Sequence, residues 1–204
     1  YLLAGGEEHP AGQGGNTIQR YKNLESYYRR FFDIESIDYH WSAQDNKSAD
    51  MIPFIGSLAP ASDKIFIATG FKGWGMAHGT IAGMLLSDLI LGRSNPWKNL
   101  YSPARLNLPA SVKSIASRNV QAVKHLISGY LSEESIKNLA EISKGEGKVI
   151  ELDGEKAAVY RDEQGKIYAL SPVCTHMGCM VSWNPAEKTW DCPCHGSRYA
   201  CDGK

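Results

Sequence analysis

Apolar positions change their rhythm twice along the 204 residues of this chain. Tyr21, Leu24, Tyr28 and Phe31 or Phe32 recur at helical spacing and predict a helix over 21–32. Residues 37–42 alternate as a strand does, and the polar Gln-Asp-Asn-Lys-Ser stretch after them reads as a loop. Ile65-Phe-Ile-Ala-Thr is a short apolar run of the buried-strand kind. It leads into a glycine-rich turn, Gly70-Phe-Lys-Gly-Trp-Gly-Met-Ala-His-Gly79, and a predicted helix over 80–91. Leu108-Pro109 breaks the chain, after which Val112, Ile115, Val120, Val123, Leu126 and Ile127 form one stripe and predict a helix over 110–130. Ser132-Glu-Glu-Ser reads as the capped start of a second helix. Beyond Gly145 the period falls to two, predicting strands at 148–152, 157–161 and 167–170 with turns at Asp153-Gly154 and Gln164-Gly165. Asp202-Gly203 predicts one more hairpin turn, with a strand expected to follow it.

This change of texture predicts an α+β domain over 1–107, a helical linker over 108–143 and an all-β domain over 144–204. A chain of this length, 43% hydrophobic, can bury one or two cores. Its 22 basic and 22 acidic side chains cancel, which argues against a nucleic-acid partner. The longest apolar segment, 81–91, is too short to span a bilayer and is interrupted by Ser87 and Asp88, so a core helix and no transmembrane segment are expected. No charged-then-apolar leader is visible, and the expectation is a soluble cytoplasmic protein, with peripheral attachment to a membrane left open. Tyr1-Leu-Leu-Ala begins like the middle of a strand and the last residues stop in a turn, so the chain reads as a fragment.

The candidate chemistry lies in two boxes, Cys174-Thr-His176-Met-Gly-Cys179 and Cys192-Pro-Cys194-His195-Gly-Ser197. A Cys-x-His turn paired with a Cys-x-x-His turn supplies two thiolates for one iron and two imidazoles for another, which is what an unevenly ligated 2Fe-2S cluster needs. Zinc fits less well, because the repeated Cys-x-x-Cys and His-x-x-x-His pairs of fingers and ribbons do not occur here. A disulfide scaffold fits less well too, since the cysteines crowd into the C-terminal part and leave the rest without staples.

From about Lys148 onward the chain resembles a Rieske 2Fe-2S domain, an antiparallel β-sandwich with cluster-binding loops, and both boxes match that family's defining positions. The resemblance implies that Cys174 and Cys192 hold one iron and His176 and His195 the other. It implies hydroxyl hydrogen bonds from Ser197 to a bridging sulfide and from Tyr199 to the Cys174 sulfur, which raise the reduction potential. Cys179 and Cys194, one in each box, could form a disulfide across the two loops. That extra pair is similar to the high-potential cytochrome bc-type proteins more than to dioxygenase ferredoxins. Cys201 reads as an exposed free thiol.

A strand, a glycine turn and a helix start in this order form a place where backbone amides can meet an electron-rich ligand, although such a turn reads equally as a plain connector. It is neither a Walker loop nor a dinucleotide fingerprint. Gly5-Gly-Glu-Glu-His, Trp41-Ser-Ala-Gln-Asp45, Asp50-Met-Ile-Pro-Phe-Ile-Gly56, the turn itself and Asn95-Pro-Trp together resemble the C-terminal part of an FAD-dependent oxidoreductase of the glycine oxidase and D-amino-acid oxidase type. The resemblance implies FAD contacts at Gly73, Trp74, Gly75 and Met76. Some amine oxidases of that family carry a lysine in this turn to help oxygen react, whereas Met76-Ala-His78 stands here. Electrons are therefore expected to leave through the cluster. His78 reads as a cap or packing residue ahead of a catalytic one. The AMP-binding glycine fingerprint is absent, so this chain alone is expected to carry iron but not FAD, and to be catalytically incomplete.

The two resemblances together imply an FAD-dependent dehydrogenase of a small amine or amino acid that passes electrons to a Rieske cluster and on to an unidentified acceptor. Two alternatives stand beside it. One is an electron carrier for an oxygenase or cytochrome whose first domain only docks, and the other is a regulatory module that senses redox state.

Overall fold

The structure is a computed structural model that describes residues 1–58, 64–105, 120, 122–130, 139–152 and 154–203. Its contacts gather into two compact units, one made of Tyr1–Ser42 with Val120–Lys204 and the other of Ala43–Asn119. These units do not follow the sequence divisions, because residues 1–42 pack with the C-terminal part of the chain. The breaks expected at 107/108, the start of the helix predicted over 110–130 and the Ser132 cap lie outside the described residues.

The C-terminal unit is built on two antiparallel meanders. β3 (Gly147–Leu152), β4 (Glu155–Arg161) and β5 (Ile167–Leu170) form the first, with Gly147 opposite Tyr160 and Ala158 opposite Leu170. β6 (Ser182–Asn184), β7 (Thr189–Asp191) and β8 (Arg198–Ala200) form the second, which pairs Trp183 with Trp190 and Trp190 with Tyr199. Alternation along β4 explains how one sheet serves two cores. Ala158 and Tyr160 face a cluster with Cys174, Cys179, Val181, Trp190 and Cys192, while Val159 faces Ile142 and Ile150. Tyr160 stacks on Trp183, and Trp183 meets Trp190 at a tilt of 58°, each pair with 4.9 Å between ring centroids. The three predicted strands of the first sheet form within one or two residues of their expected ends.

In the same unit, α1 (Thr17–Tyr28) starts four residues earlier than its apolar spacing predicts, because the Asn16 side chain accepts a hydrogen bond from the Gln19 amide and caps it. Residues 37–42, predicted as a strand, form none, since no strand among the described residues pairs with them. Residues 122–130 are helical; Leu126 packs against the main core, and Lys156 Nζ donates to the carbonyls of Gly129 (2.8 Å) and Tyr130 (3.2 Å).

The other unit sets α2 (Gly75–Ile90) against an antiparallel pair, β1 (Phe54–Ser57) and β2 (Phe66–Thr69), and adds the short α3 (Lys98–Tyr101). Ile55, Ala82 and Leu85 form its core, with Phe71, Ile81, Leu86, Leu89 and Tyr101 around them. The core helix expected at 81–91 thus begins at Gly75, and only one of its faces is buried; Met76, Met84 and Ile90 are exposed.

Candidate metal centre

Two loops carry the cysteines and histidines, and their backbones repeat one design. In 174–179 the Gly178 amide donates to the Cys174 carbonyl at 3.0 Å and the Cys174 amide to the Cys179 carbonyl at 2.8 Å. In 192–197 the Gly196 amide donates to the Cys192 carbonyl at 3.0 Å and the Cys192 amide to the Ser197 carbonyl at 2.7 Å. Gly178 and Gly196 sit at φ of 74° and 80°, the left-handed conformation in which a side chain is strained. Cys174 and Cys192 therefore occupy equivalent positions, each opening its loop with its side chain turned into the core at 2% and 1% exposure. His176 and His195 face outward from the tips, their ring centroids 4.8 Å apart and their planes at 86°. The Cys179–Cys194 disulfide ties the end of the first loop to the middle of the second.

The two buried thiols influence each other strongly. Burial works against ionising Cys174, but hydrogen bonds from the Tyr199 hydroxyl, the His176 amide and the Ser197 hydroxyl, together with Cys192, outweigh it and bring the thiol down to about 7. Cys192 is pushed up by burial and by the neighbouring Cys174 sulfur, against the pull of the Cys194 and His195 amides. Cys174 is thus the more readily ionised of the two, and a cation bound between them would favour the thiolate of both. Two sulfurs inside and two imidazoles outside are a donor set that fits a 2Fe-2S core ligated by sulfur at one iron and nitrogen at the other. Cys179, Cys192 and Cys194 also lie within 4.8 Å of one another, but two of the three sulfurs are spent in the disulfide and leave a single thiol, too few for an ion.

Each loop has a support outside itself. Tyr199 Oη lies 3.2 Å from Cys174 Sγ and 3.1 Å from Thr175 Oγ1, and accepts the Thr175 amide at 3.3 Å. Tyr130 Oη donates to the Gly178 carbonyl at 3.1 Å. At the base of the second loop the buried Asp191 carboxylate takes Arg198 Nε (2.8 Å) and Nη2 (2.9 Å), Asn184 Nδ2 (2.9 Å) and Thr189 Oγ1 (3.0 Å). Burial opposes its ionisation, yet these donors hold its pKa below the ordinary value. Thr175, Tyr130 and Asp191 carry no motif that sequence reasoning can recognise. Cys201 differs from its reading as an exposed thiol, being half-buried and packed against the main core.

Tyr199→Phe removes the hydroxyl and keeps the ring. With one donor fewer at Cys174 Sγ, the reduction potential of the loaded protein is expected to fall by roughly tens of millivolts with iron content unchanged. Voltammetry at fixed pH measures it, and an unaltered potential would remove Tyr199 from the cluster's surroundings.

At the glycine turn, Gly73 is left-handed at φ 76°, and α2 begins two residues later with no side chain capping its N-terminus. Gly75 and Met76 thus lie in the first helical turn, whose amides have no partner within the helix. Trp74 and Met76 are exposed, Met76 at 91%, and a Cβ added at Gly75 or Gly79 would meet nothing within 4 Å. Open glycine backbone at the positive end of a helix fits an electron-rich ring edge. His78 is a packing residue here, with Nδ1 3.2 Å from the Phe71 carbonyl.

Comparison with known proteins agrees with both resemblances. Residues 133–204 match the family of Rieske 2Fe-2S domains, and residues 1–89 match the FAD dependent oxidoreductase family. The whole chain is 41% identical over 203 residues to YhfW of Bacillus subtilis, a protein named for a Rieske 2Fe-2S iron-sulfur protein, and spans 40% of its length. The cytochrome b6-f complex iron-sulfur subunit of Chlorobaculum tepidum is 35% identical over 74 residues, covering 36% of this chain and 40% of that one. The Rieske protein PetC3 of Synechocystis PCC 6803 is similar at 36% identity over 28% of this chain and 58% of that chain, with a TM-score of 0.25. Among the described residues no helix is long and apolar enough to cross a membrane. The chain thus joins an FAD-dependent oxidoreductase region at residues 1–89 to a Rieske 2Fe-2S domain at residues 133–204.

Proposed function

We propose that this chain is the electron-exit half of an FAD-dependent dehydrogenase that oxidises a small amine or amino acid and drains its electrons through the Rieske cluster. Cys174 and Cys192 would hold one iron of a Rieske cluster through sulfur, and His176 and His195 would hold the other through nitrogen. FAD bound in the full-length protein would supply two-electron oxidation of the substrate, and a cluster held here would supply one-electron transfer onward. Gly73, Trp74, Gly75 and Met76 offer backbone amides and the positive end of α2 to the flavin edge on which negative charge develops. The two imidazoles, at the exposed tips of their loops, are placed to present their outer nitrogens to an acceptor. Cys179 and Cys194 keep the two loops in register.

The observation that carries this reading is the convergence of two buried thiols and two exposed imidazoles from disulfide-linked loops, in a chain whose other part matches an FAD enzyme. Anaerobic addition of candidate amines to the full-length protein tests it. Flavin bleaching followed by the low average g signal of a mixed imidazole and thiolate cluster is expected. Bleaching with a cluster that stays oxidised overturns it. A cluster that is competent with no substrate able to bleach flavin favours the carrier with a docking domain, the reading that the similarity to cytochrome b6-f subunits supports.

A further inference from the structure

Residues 1–42 belong to the part matched by the FAD oxidoreductase family, yet they lie along the second cluster loop and the strands that carry it. Thr17, buried, donates to Asn184 Oδ1 at 2.7 Å and accepts the Ala186 amide at 3.2 Å. Tyr21 donates its hydroxyl hydrogen to Glu187, and Ser42 Oγ accepts from Arg198 Nη1 at 3.2 Å. A close approach also falls on the loop itself. Gly12, at φ 66°, lies so near that a Cβ there would stand 2.6 Å from the Pro193 nitrogen and 2.8 Å from the Asp191 carbonyl oxygen. Gln13 Nε2 donates to the Pro193 carbonyl at 2.9 Å.

Pro193 stands between Cys192 and Cys194, and its carbonyl shares a peptide unit with the Cys194 amide, one of the two that donate to the Cys192 sulfur. A donor on the carbonyl side of a peptide polarises the amide on its other side, so a bond from Gln13 strengthens the bond to sulfur. Stronger donation to a ligating sulfur favours the electron-rich reduced state. We propose that Gly12 and Gln13 are positioning residues for the cluster. The FAD-type segment grips the peptide after Cys192, fixes the loop and sets how readily the cluster takes an electron.

The inference rests on the cluster reading of the site but not on the flavin or its substrate. Two variants test it in the iron-loaded protein, Gln13→Met, which keeps length at an exposed position and loses the donor, and Gly12→Ala, which forces the contact apart. Reduction potential and amide hydrogen exchange are read together. Gln13→Met is expected to shift the one-electron equilibrium about threefold toward the oxidised form, ~28 mV at 59 mV per tenfold. Gly12→Ala is expected to speed exchange at 192–197 about tenfold while 174–179 stays as in the wild type. An unchanged potential in Gln13→Met, or exchange that rises equally in both loops of Gly12→Ala, overturns the proposal. Iron and sulfide analysis of the wild type reports separately on the cluster, and the exchange arm reads the Gly12 contact whether or not the cluster is present.

Discussion

Cys192→Ser is expected to yield a folded protein that holds no cluster, with iron and acid-labile sulfide falling at least tenfold below the wild type. The side chain it replaces is 1% exposed, opens the second loop and receives the Cys194 and His195 amides. A serine oxygen fits the same space but does not ionise near neutral pH, and it is a harder donor than iron-sulfur chemistry selects. Cys174 cannot take over, because the repeated loop geometry gives each iron-facing position one sulfur and Cys174 already fills its own. Loss of the visible absorption and of the reduced-state resonance measures the effect. Cys201→Ser is the control, since Cys201 follows β8, outside both loops, and the variant is expected to keep full iron. Stoichiometric iron in Cys192→Ser, or its loss in Cys201→Ser, would reassign the ligands.

The two cysteine-histidine boxes are legible in sequence because the turns that shape them are local: one or two residues separate each cysteine from its histidine, and the glycine that closes each turn is written beside them. The strands of the first sheet are legible for a similar reason, alternation and turn glycines falling within short windows. Contacts between distant parts of the chain leave no such trace. Thr17 and Asn184 are separated by 167 positions, and nothing in 1–42 announces that it will lie on the second loop. The glycines at 70–79 mislead in the other direction. They lower helix propensity at 75–79, yet packing of Ile81, Leu85 and Leu89 around Ile55 holds the helix from Gly75 onward. β1 escapes the pattern because four residues beside Pro53 offer too short a period to read. Tyr130 and Thr175 escape because a hydroxyl acts on the site only after folding brings it there.

Asp50→Asn is expected to destabilise the unit formed by Ala43–Asn119 by about 3–5 kcal/mol, the cost typical of stranding one member of a buried ion pair. Arg105 meets Asp50 with two parallel bonds of 2.8 Å, and the side chains are 10% and 4% exposed. The same guanidinium donates to the Pro53 carbonyl at 2.8 Å and lies 4.1 Å over the Phe54 ring, so it ties the start of β1 to the end of the described segment. An amide at position 50 offers one acceptor where two are used and leaves the positive charge unmatched. The hydrogen bond from Arg105, helped by the Ile52 amide, holds the Asp50 carboxyl well below the ordinary carboxylate range despite burial. A folded pKa below the unfolded one means that the contribution is complete above about pH 4 and is lost as pH falls through the folded value. Wild-type stability should therefore drop on acidification below pH 4 with a component that Asp50→Asn lacks. Urea unfolding at pH 7 and pH 3, with hydrogen exchange at 54–57 and 66–69 to localise the change, measures both effects. Arg105→Met strands the carboxylate and several carbonyls and is expected to cost as much, while the double variant costs less than the two singles added. Strict additivity, or a loss under about 1 kcal/mol in Asp50→Asn, would show that the pair stands apart from the folding of this unit.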